Sequence, residues 1–309
     1  MRDPLDVSRE RDGVRHALGA VGAWTFAFDS RSAVQVGRDA RELESLGYTA
    51  LWVPEGSSSR DVFAHLSMLA SATATITVCS GIANITARAP EVMATGARTL
   101  ADGFGERIVL GVGVGHEYST EARGVTWNRP LTRMRAYLDR MDEAPWNAPE
   151  SPVGVRRLLA ALGDGMLRLS AERALGAHTY FVPVAHTAHA REVFGAGPVL
   201  AVELTAVLEA DATRARSTAR AWTAGYLELP NYARNLERLG YVGREITGGG
   251  SDRLVDATVA WGDEHAIAAR VREHLDAGAD HVCVQFVNGD DADLCMSAYR
   301  AMSPLVAEV

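Results

Sequence analysis

The sequence predicts a TIM barrel, a (β/α)8 fold in one domain over residues 1–309, with insertions after the fourth and seventh strands. Three observations lead there. Eight short apolar runs alternate with helical stretches, the order that a parallel sheet requires. The runs that begin at Ile76 and at Ile108 are almost continuously apolar, as strands buried on both faces must be. The 309 residues are 47% hydrophobic, enough to bury one large core. A doubly wound open sheet is the rival for this alternation, and it fits the length and the strand count less well.

Residues 1–20 read as a peripheral N-terminal segment. Gly22 to Phe28 alternates as a strand would, with Trp24, Phe26 and Phe28 on one face. Ala33, Val36, Ala40, Leu43 and Leu46 recur at helical spacing, and Gly47 ends that helix. Tyr48 to Val53 is a buried strand stopped by Pro54, and Asp61 starts a helix that reaches Ala72. The stretch from Ile76 to His116 reads as strand, helix, strand and a glycine-rich exit. A polar loop from His116 to Arg129 then leads to a helix opened by Pro130.

Arg156 to Leu162 is the fifth strand, and Gly163 opens a helix to Leu175. Gly176 to Val182 and Pro198 to Leu204 are the sixth and seventh strands, around a short helix from His186 to Phe194. A helix from Asp211 to Gly225 precedes residues 226–251, a span too long for a plain connection; with residues 116–129 it is expected to shape the substrate pocket or a lid. Asp252 to Trp261 and Asp263 to Ala277 read as helical, His281 to Val287 as the eighth strand, and Asp290 to Val309 as the closing helix.

Composition excludes several functions. The formal charge is −8 with no basic stripe, which argues against nucleic acid as a partner. All 31 basic residues are Arg, so no lysine serves as a Schiff base or as a P-loop cation. Cys79, Cys283 and Cys295 have no CxxC spacing, and no HExxH pattern occurs, so neither a disulfide framework nor a metal site is expected. The N-terminus lacks an apolar signal region and no 18-residue apolar run exists, which points to a soluble, cytoplasmic protein.

Barrel chemistry sits at the C-terminal ends of the strands. That rule selects Trp24, Phe28, Glu55, the Gly81–Asn84 segment, His116, Glu117, the turn from Gly163 to Met166 and the residues near His186. His116 is either a catalytic imidazole or a structural one. Glu55 is a base, a substrate ligand or a solvated carboxylate. The turn at Gly163, Asp164, Gly165 and Met166 either receives a phosphate at a helix N-terminus or is an ordinary turn capped by Asp164. Gly111-Val112-Gly113-Val114-Gly115 has GxGxG spacing with no helix directly after it, a poor match to a dinucleotide fingerprint.

Across nearly its whole length the chain resembles the luciferase-like superfamily of flavin and deazaflavin oxidoreductases. The residues that carry this are TALWVPE, SGIANITARAPEVMATGARTLADGFGERIVLGVGVGH, AALGDGM and AGADHVCVQF. The segments HTAHAREVFG, LPNYARNLERLGY and SDRLVDATVAWG are similar to an actinobacterial group of F420-dependent oxidoreductases. The resemblance implies hydride transfer between coenzyme F420 and a small organic substrate, in a homodimer. FMN is the alternative cofactor, in a monooxygenase of the same fold, and a non-catalytic binding barrel is a third reading.

The resemblance further implies a non-prolyl cis peptide at Gly81–Ile82 against the cofactor ring, with Asn84 close by. The phosphate-bearing tail would run towards Gly163, Gly165 and Met166. His116 and Glu55 would be the catalytic groups, and Trp24, Phe28 and Glu117 would line the substrate pocket. Two departures stand out. Glu55 is followed by Gly56 where relatives carry His, and Val184-Ala185 stands where relatives carry Pro-Glu.

Overall fold

The computed structural model describes residues 4–290 and 292–309. The chain opens with α1 (Pro4–Leu18), β1 (Val21–Trp24), α2 (Ala33–Ser45), β2 (Ala50–Val53), α3 (Val62–Ala72), β3 (Thr77–Ser80) and a two-residue β4 (Ala83–Asn84). It continues through α4 (Pro90–Phe104), β5 (Ile108–Gly113), α5 (Glu117–Glu121), α6 (Pro130–Asp142), β6 (Arg157–Ala160), α7 (Asp164–Arg173) and β7 (Gly176–Thr179). The last third holds α8 (Val184–Phe194), β8 (Val199–Leu208), α9 (Ala212–Leu227), α10 (Pro230–Arg238), α11 (Asp252–Thr258), β9 (Val259–Gly262), α12 (Glu264–Asp276), β10 (His281–Phe286) and α13 (Met296–Val306).

All strand pairs are parallel, in the order β10-β1-β2-β3-β5-β6-β7-β8. The pairing of β8 with β10, from Ala201↔His281 to Ala206↔Phe286, closes these eight strands into a TIM barrel with the helices outside. The insertions follow the fourth and seventh barrel strands, β5 and β8, as expected. Caps fix several helix starts: Ser32 accepts from the Gln35 amide, Asp61 from Ala64 and Asp263 from Ala266.

Three elements differ from the expectation. The N-terminal segment is a helix that closes the bottom of the barrel. Val14 and Leu18 are fully buried and pack with Trp52, Cys79 and Cys283 of the barrel interior. The first strand stops at Trp24, and residues Ala27–Ser30 form a 3-10 turn. The alternation expected to place Phe28 beside Trp24 is therefore broken. The stretch from Asp252 to Trp261 is helical only to Thr258; its end becomes β9, which pairs with the outer part of β8 from Thr205↔Val259 to Leu208↔Gly262. Among the described residues no helix is long and apolar enough to cross a membrane.

Candidate active site

The C-terminal ends of the barrel strands open into a cavity of ≈ 950 Å³. Gly81, Ile82, Asn84, Glu55, His116, Gly163, Met166 and Trp24 line it, so most of the sequence-derived site residues come together there.

One wall is built where β3 leaves the barrel. The Gly81–Ile82 peptide is cis. The glycines of β5 make room for this segment. A Cβ on Gly111 would lie 2.1 Å from the Ser80 carbonyl oxygen, and one on Gly113 would lie 2.5 Å from Ile82 Cδ1. The GxGxG spacing thus serves close packing within the barrel. Asn84 follows, its backbone N–H donating to Glu55 Oε2 at 2.8 Å and its side-chain oxygen accepting from the Thr86 amide at 2.9 Å. Glu55 is also paired with Arg88 through both carboxylate oxygens, and the Glu55 side chain is only 6% exposed. Glu55 therefore lies at the cavity wall as an anchored group, with both carboxylate oxygens hydrogen-bonded.

The neighbouring wall carries His116, which precedes α5. Its backbone N–H donates to Ser119 Oγ at 3.3 Å. The ring stacks on Tyr118 with centroids 5.7 Å apart and meets Tyr232 at the same separation. Nδ1 is buried without a partner. Burial pulls the imidazole below its usual pKa, opposed by a hydrogen bond with the Asn231 side chain. The ring is consequently neutral near pH 7 and able to accept a proton.

A third part of the rim is the start of α7. Gly163 is its N-cap, and no side chain caps the helix. Asp164, expected as the cap, turns outward to His189 Nε2 at 2.8 Å, which holds its carboxyl below the usual range. A guanidinium nitrogen of Arg238 lies 2.9 Å from the place a Gly163 Cβ would take. A helix N-terminus beside a cation suits an anion. His186, singled out for its place after a strand, accepts this geometry in a structural way: its Nε2 donates to the Leu162 carbonyl at 2.8 Å.

Three expected residues do not reach the cavity. Phe28 is fully buried in the core beside His65, because the chain has already turned; Phe26 takes the place at the cavity. Glu117 is exposed on the outer side of α5, one residue past the inward-facing His116. Gly165 is exposed on the far side of the first turn of α7, while Gly163 and Met166 face in.

Residues that motif reasoning passed over complete the lining. His178 stacks on Trp52 at 4.3 Å. Its Nδ1 donates to the Ala201 carbonyl at 3.2 Å, and burial drives its pKa down to about 3, so Nε2 is an unprotonated acceptor. Among the described residues Nε2 has no partner, nor has the Trp24 indole N–H; both lie within 3.3 Å of the position a Gly81 Cβ would occupy. Tyr180, Trp222, Tyr226 and Tyr232 form the remaining wall. The alternation in β7 could have flagged Tyr180. Nothing in the sequence marks Trp222 in α9 as reaching the mouth; Tyr226 and Tyr232 fall in the 226–251 span, expected to shape the pocket. Among the described residues no cluster of His, Cys, Asp and Glu could hold a metal.

The family model described as luciferase-like monooxygenase matches residues 27–281. Among curated proteins, 96 residues align at 35% identity with 5,10-methylenetetrahydromethanopterin reductase of Archaeoglobus fulgidus, covering 31% of this chain and 29% of that protein. Another 5,10-methylenetetrahydromethanopterin reductase, from Methanolobus tindarius, aligns at 29% identity over 33% of this chain and 32% of that protein. The match therefore spans about a third of the length of these curated relatives.

Solved structures match over far more of the chain. The coenzyme F420 dependent tetrahydromethanopterin reductase of Methanopyrus kandleri superposes with a TM-score of 0.71 at 16% identity, over 92% of this chain and 97% of that one. An F420-dependent secondary alcohol dehydrogenase in complex with an F420-acetone adduct gives 0.72 at 12% identity with the same coverage. The FMN-bound oxygenating constituent of 3,6-diketocamphane monooxygenase from Pseudomonas putida gives 0.70 at 18%, over 94% and 97%. At these identities the likeness shows a shared fold.

Proposed function

Since the chain belongs to the luciferase-like monooxygenase family, we propose that it is an oxidoreductase that uses coenzyme F420 and transfers hydride to or from a small organic substrate. Residues 1–309 act as one barrel domain in this reading, and the assembly is a homodimer. The observation that carries it is the single cavity joining the Gly81–Asn84 wall, His116 and the start of α7. Two of the matching structures are of F420-dependent enzymes, which supports the choice of cofactor.

The residues fit such a group. Gly81 and Ile82 present backbone where a flat ring needs close approach, and Glu55 and Arg88 lock the Asn84 backbone beside it. Trp24 offers a donor and His178 an acceptor that no described residue satisfies. Gly163 and Met166, with Arg238 alongside, would receive the anionic tail. When bound, the deazaflavin supplies the hydride donor or acceptor at its central carbon. The protein holds the reactants in position and moves the proton that accompanies the hydride. Neutral His116 takes that proton from a substrate hydroxyl when an alcohol is oxidised, and returns it in the reverse direction. Glu55 is a positioning residue, and the aromatic wall excludes water.

FMN is the second reading, supported by the FMN-bound neighbour of equal structural likeness. Titration of the purified protein with F420 and with FMN, followed by cofactor fluorescence, separates the two. Saturable binding of F420 with little for FMN is expected. Tight FMN binding without F420 binding, together with oxygen consumption on reduced FMN, would replace this reading with a monooxygenase. Light scattering reads the assembly mass.

A further inference from the structure

One wall of the cavity consists of side chains in mutual contact. Trp24 meets Phe26 with centroids 4.5 Å apart, Phe26 meets Trp222 at 6.1 Å, and Trp222 meets Tyr226 at 5.5 Å. Tyr226 meets Tyr180 at 5.4 Å, and Tyr180 returns to Trp24 at 5.2 Å. The circuit is closed, and all five rings line the cavity. Only 7% of the chain is aromatic, so five rings on one wall are a local concentration. Tyr232 lies 5.4 Å from Tyr226 and 5.7 Å from His116, which connects the circuit to the proposed proton acceptor.

The polar atoms of this wall differ in their satisfaction. The Tyr180 hydroxyl donates to Gln285 Oε1 at 2.8 Å and therefore accepts from the Tyr226 hydroxyl at 2.8 Å. The indole N–H groups of Trp24 and Trp222 are buried and have no acceptor among the described residues. Trp24 is itself 1% exposed. A buried donor without a partner costs free energy until a ligand supplies one. Aromatic cages also hold organic cations, which need a free carboxylate or an uncommitted ring face. Among the described residues the two carboxylates lining the cavity are committed, Asp29 to Ser59 Oγ at 2.6 Å and to the Arg60 amide, Glu55 to Arg88 and Asn84. The free groups on this wall are donors, and they call for an acceptor oxygen.

We propose that this circuit is the substrate subsite, and that it takes a planar aromatic molecule bearing a carbonyl oxygen, stacked on the rings with that oxygen received by the Trp222 indole N–H. The inference rests on the oxidoreductase reading above and adds the substrate class to it. An aromatic ketone reduced here gains a hydride at the carbonyl carbon from reduced F420 and a proton at the oxygen, giving the secondary alcohol and oxidised cofactor.

Calorimetry with 2-acetylnaphthalene tests it against three controls: cyclohexyl methyl ketone, which keeps the acceptor; 2-ethylnaphthalene, which keeps the ring; and choline. Both cofactor-free protein and protein loaded with F420 are used, and cofactor binding is followed separately by fluorescence. The aromatic ketone should bind at least about tenfold more tightly than the cyclohexyl ketone, as stacking contacts of this kind allow. Trp222→Phe keeps the ring and removes the donor; it should weaken the ketone about fivefold and leave 2-ethylnaphthalene unchanged. Phe26→Leu should weaken both naphthalenes, and thermal melting checks that each variant is folded. Equal affinity for the two ketones, tighter binding of choline, or an unchanged ketone affinity in Trp222→Phe would overturn the subsite. Aromatic preference in a protein that fails to bind F420 would remove the cofactor assignment and leave the subsite standing.

Discussion

His116 and Glu55 both lie at strand ends, and both are plausible acid–base groups on sequence grounds; their surroundings separate them. The imidazole is buried, unpartnered at Nδ1 and depressed in pKa by desolvation. His116→Ala should lower kcat by about 10²- to 10³-fold while the Kd for the cofactor stays within about twofold, the pattern of lost proton transfer. The neutral form is the active one for alcohol oxidation. Activity in that direction should therefore hold down to pH values below the ordinary imidazole range and then fall, and the variant should lose this acid limb. A parallel loss of kcat and cofactor affinity would make His116 a structural residue. Glu55 predicts the opposite split. Glu55→Ala removes the buried partner of Arg88 and leaves it only the exposed Asp61 at 3.3 Å, which should cost up to about 3 kcal/mol in urea denaturation. It also frees the Asn84 backbone, so cofactor affinity should drop more than kcat at saturation. A collapse of kcat in Glu55→Gln with unchanged affinity would restore Glu55 as the base.

Elements buried on both faces could be read from the sequence, and those buried along one narrow stripe could not. All eight barrel strands coincide with apolar runs identified beforehand, because a parallel strand under helices has no solvent face to break the pattern. The helix α1 carries PLDVSRERDGVRHAL, mostly charged and polar, with Val14 and Leu18 as its contribution to the barrel interior. Two residues do not make a legible period, although they close the barrel. Leu18→Ala should therefore cost about 2–5 kcal/mol by urea denaturation; a cost below about 1 kcal/mol would show that the helix only rests on the barrel. The candidate site was legible to the same degree. Gly81, Asn84, His116 and Gly163 follow barrel strands and were found by that position. Phe28 was misplaced because a turn after Trp24 is invisible to alternation, and Trp222 was missed because a helix pattern does not show which ring reaches the mouth, whereas Tyr226 begins the 226–251 span expected to shape the pocket.

The whole molecule has an unusual number of neutral imidazoles in its interior, and this sets its response to acid. Burial lowers His65, His186 and His281 from 6.5 to about 4, and His178 and His274 to about 3. Several are held by bonds that need the neutral ring: His281 accepts from the Trp52 indole at 3.0 Å while its Nδ1 donates to the Gly19 carbonyl at 2.8 Å. In the unfolded chain these rings take up protons as the pH falls through 6.5, whereas in the fold they resist until about 4 or below. The unfolded state therefore binds more protons across that window, and stability falls with pH. Glu203, buried between the Phe181 amide and the Thr205 hydroxyl, has its pKa raised from 4.5 to about 7 and acts the other way, because the fold holds its proton more tightly than the open chain. One carboxyl opposes five imidazoles, so the net effect has the sign of the histidines. The thermal midpoint at pH 5 should lie below that at pH 7 by on the order of 10 °C, read by calorimetry at constant ionic strength. A midpoint equal or higher at pH 5 would mean that the buried rings are protonated within the fold, and the neutral assignment of His178 at the cavity would fall with it.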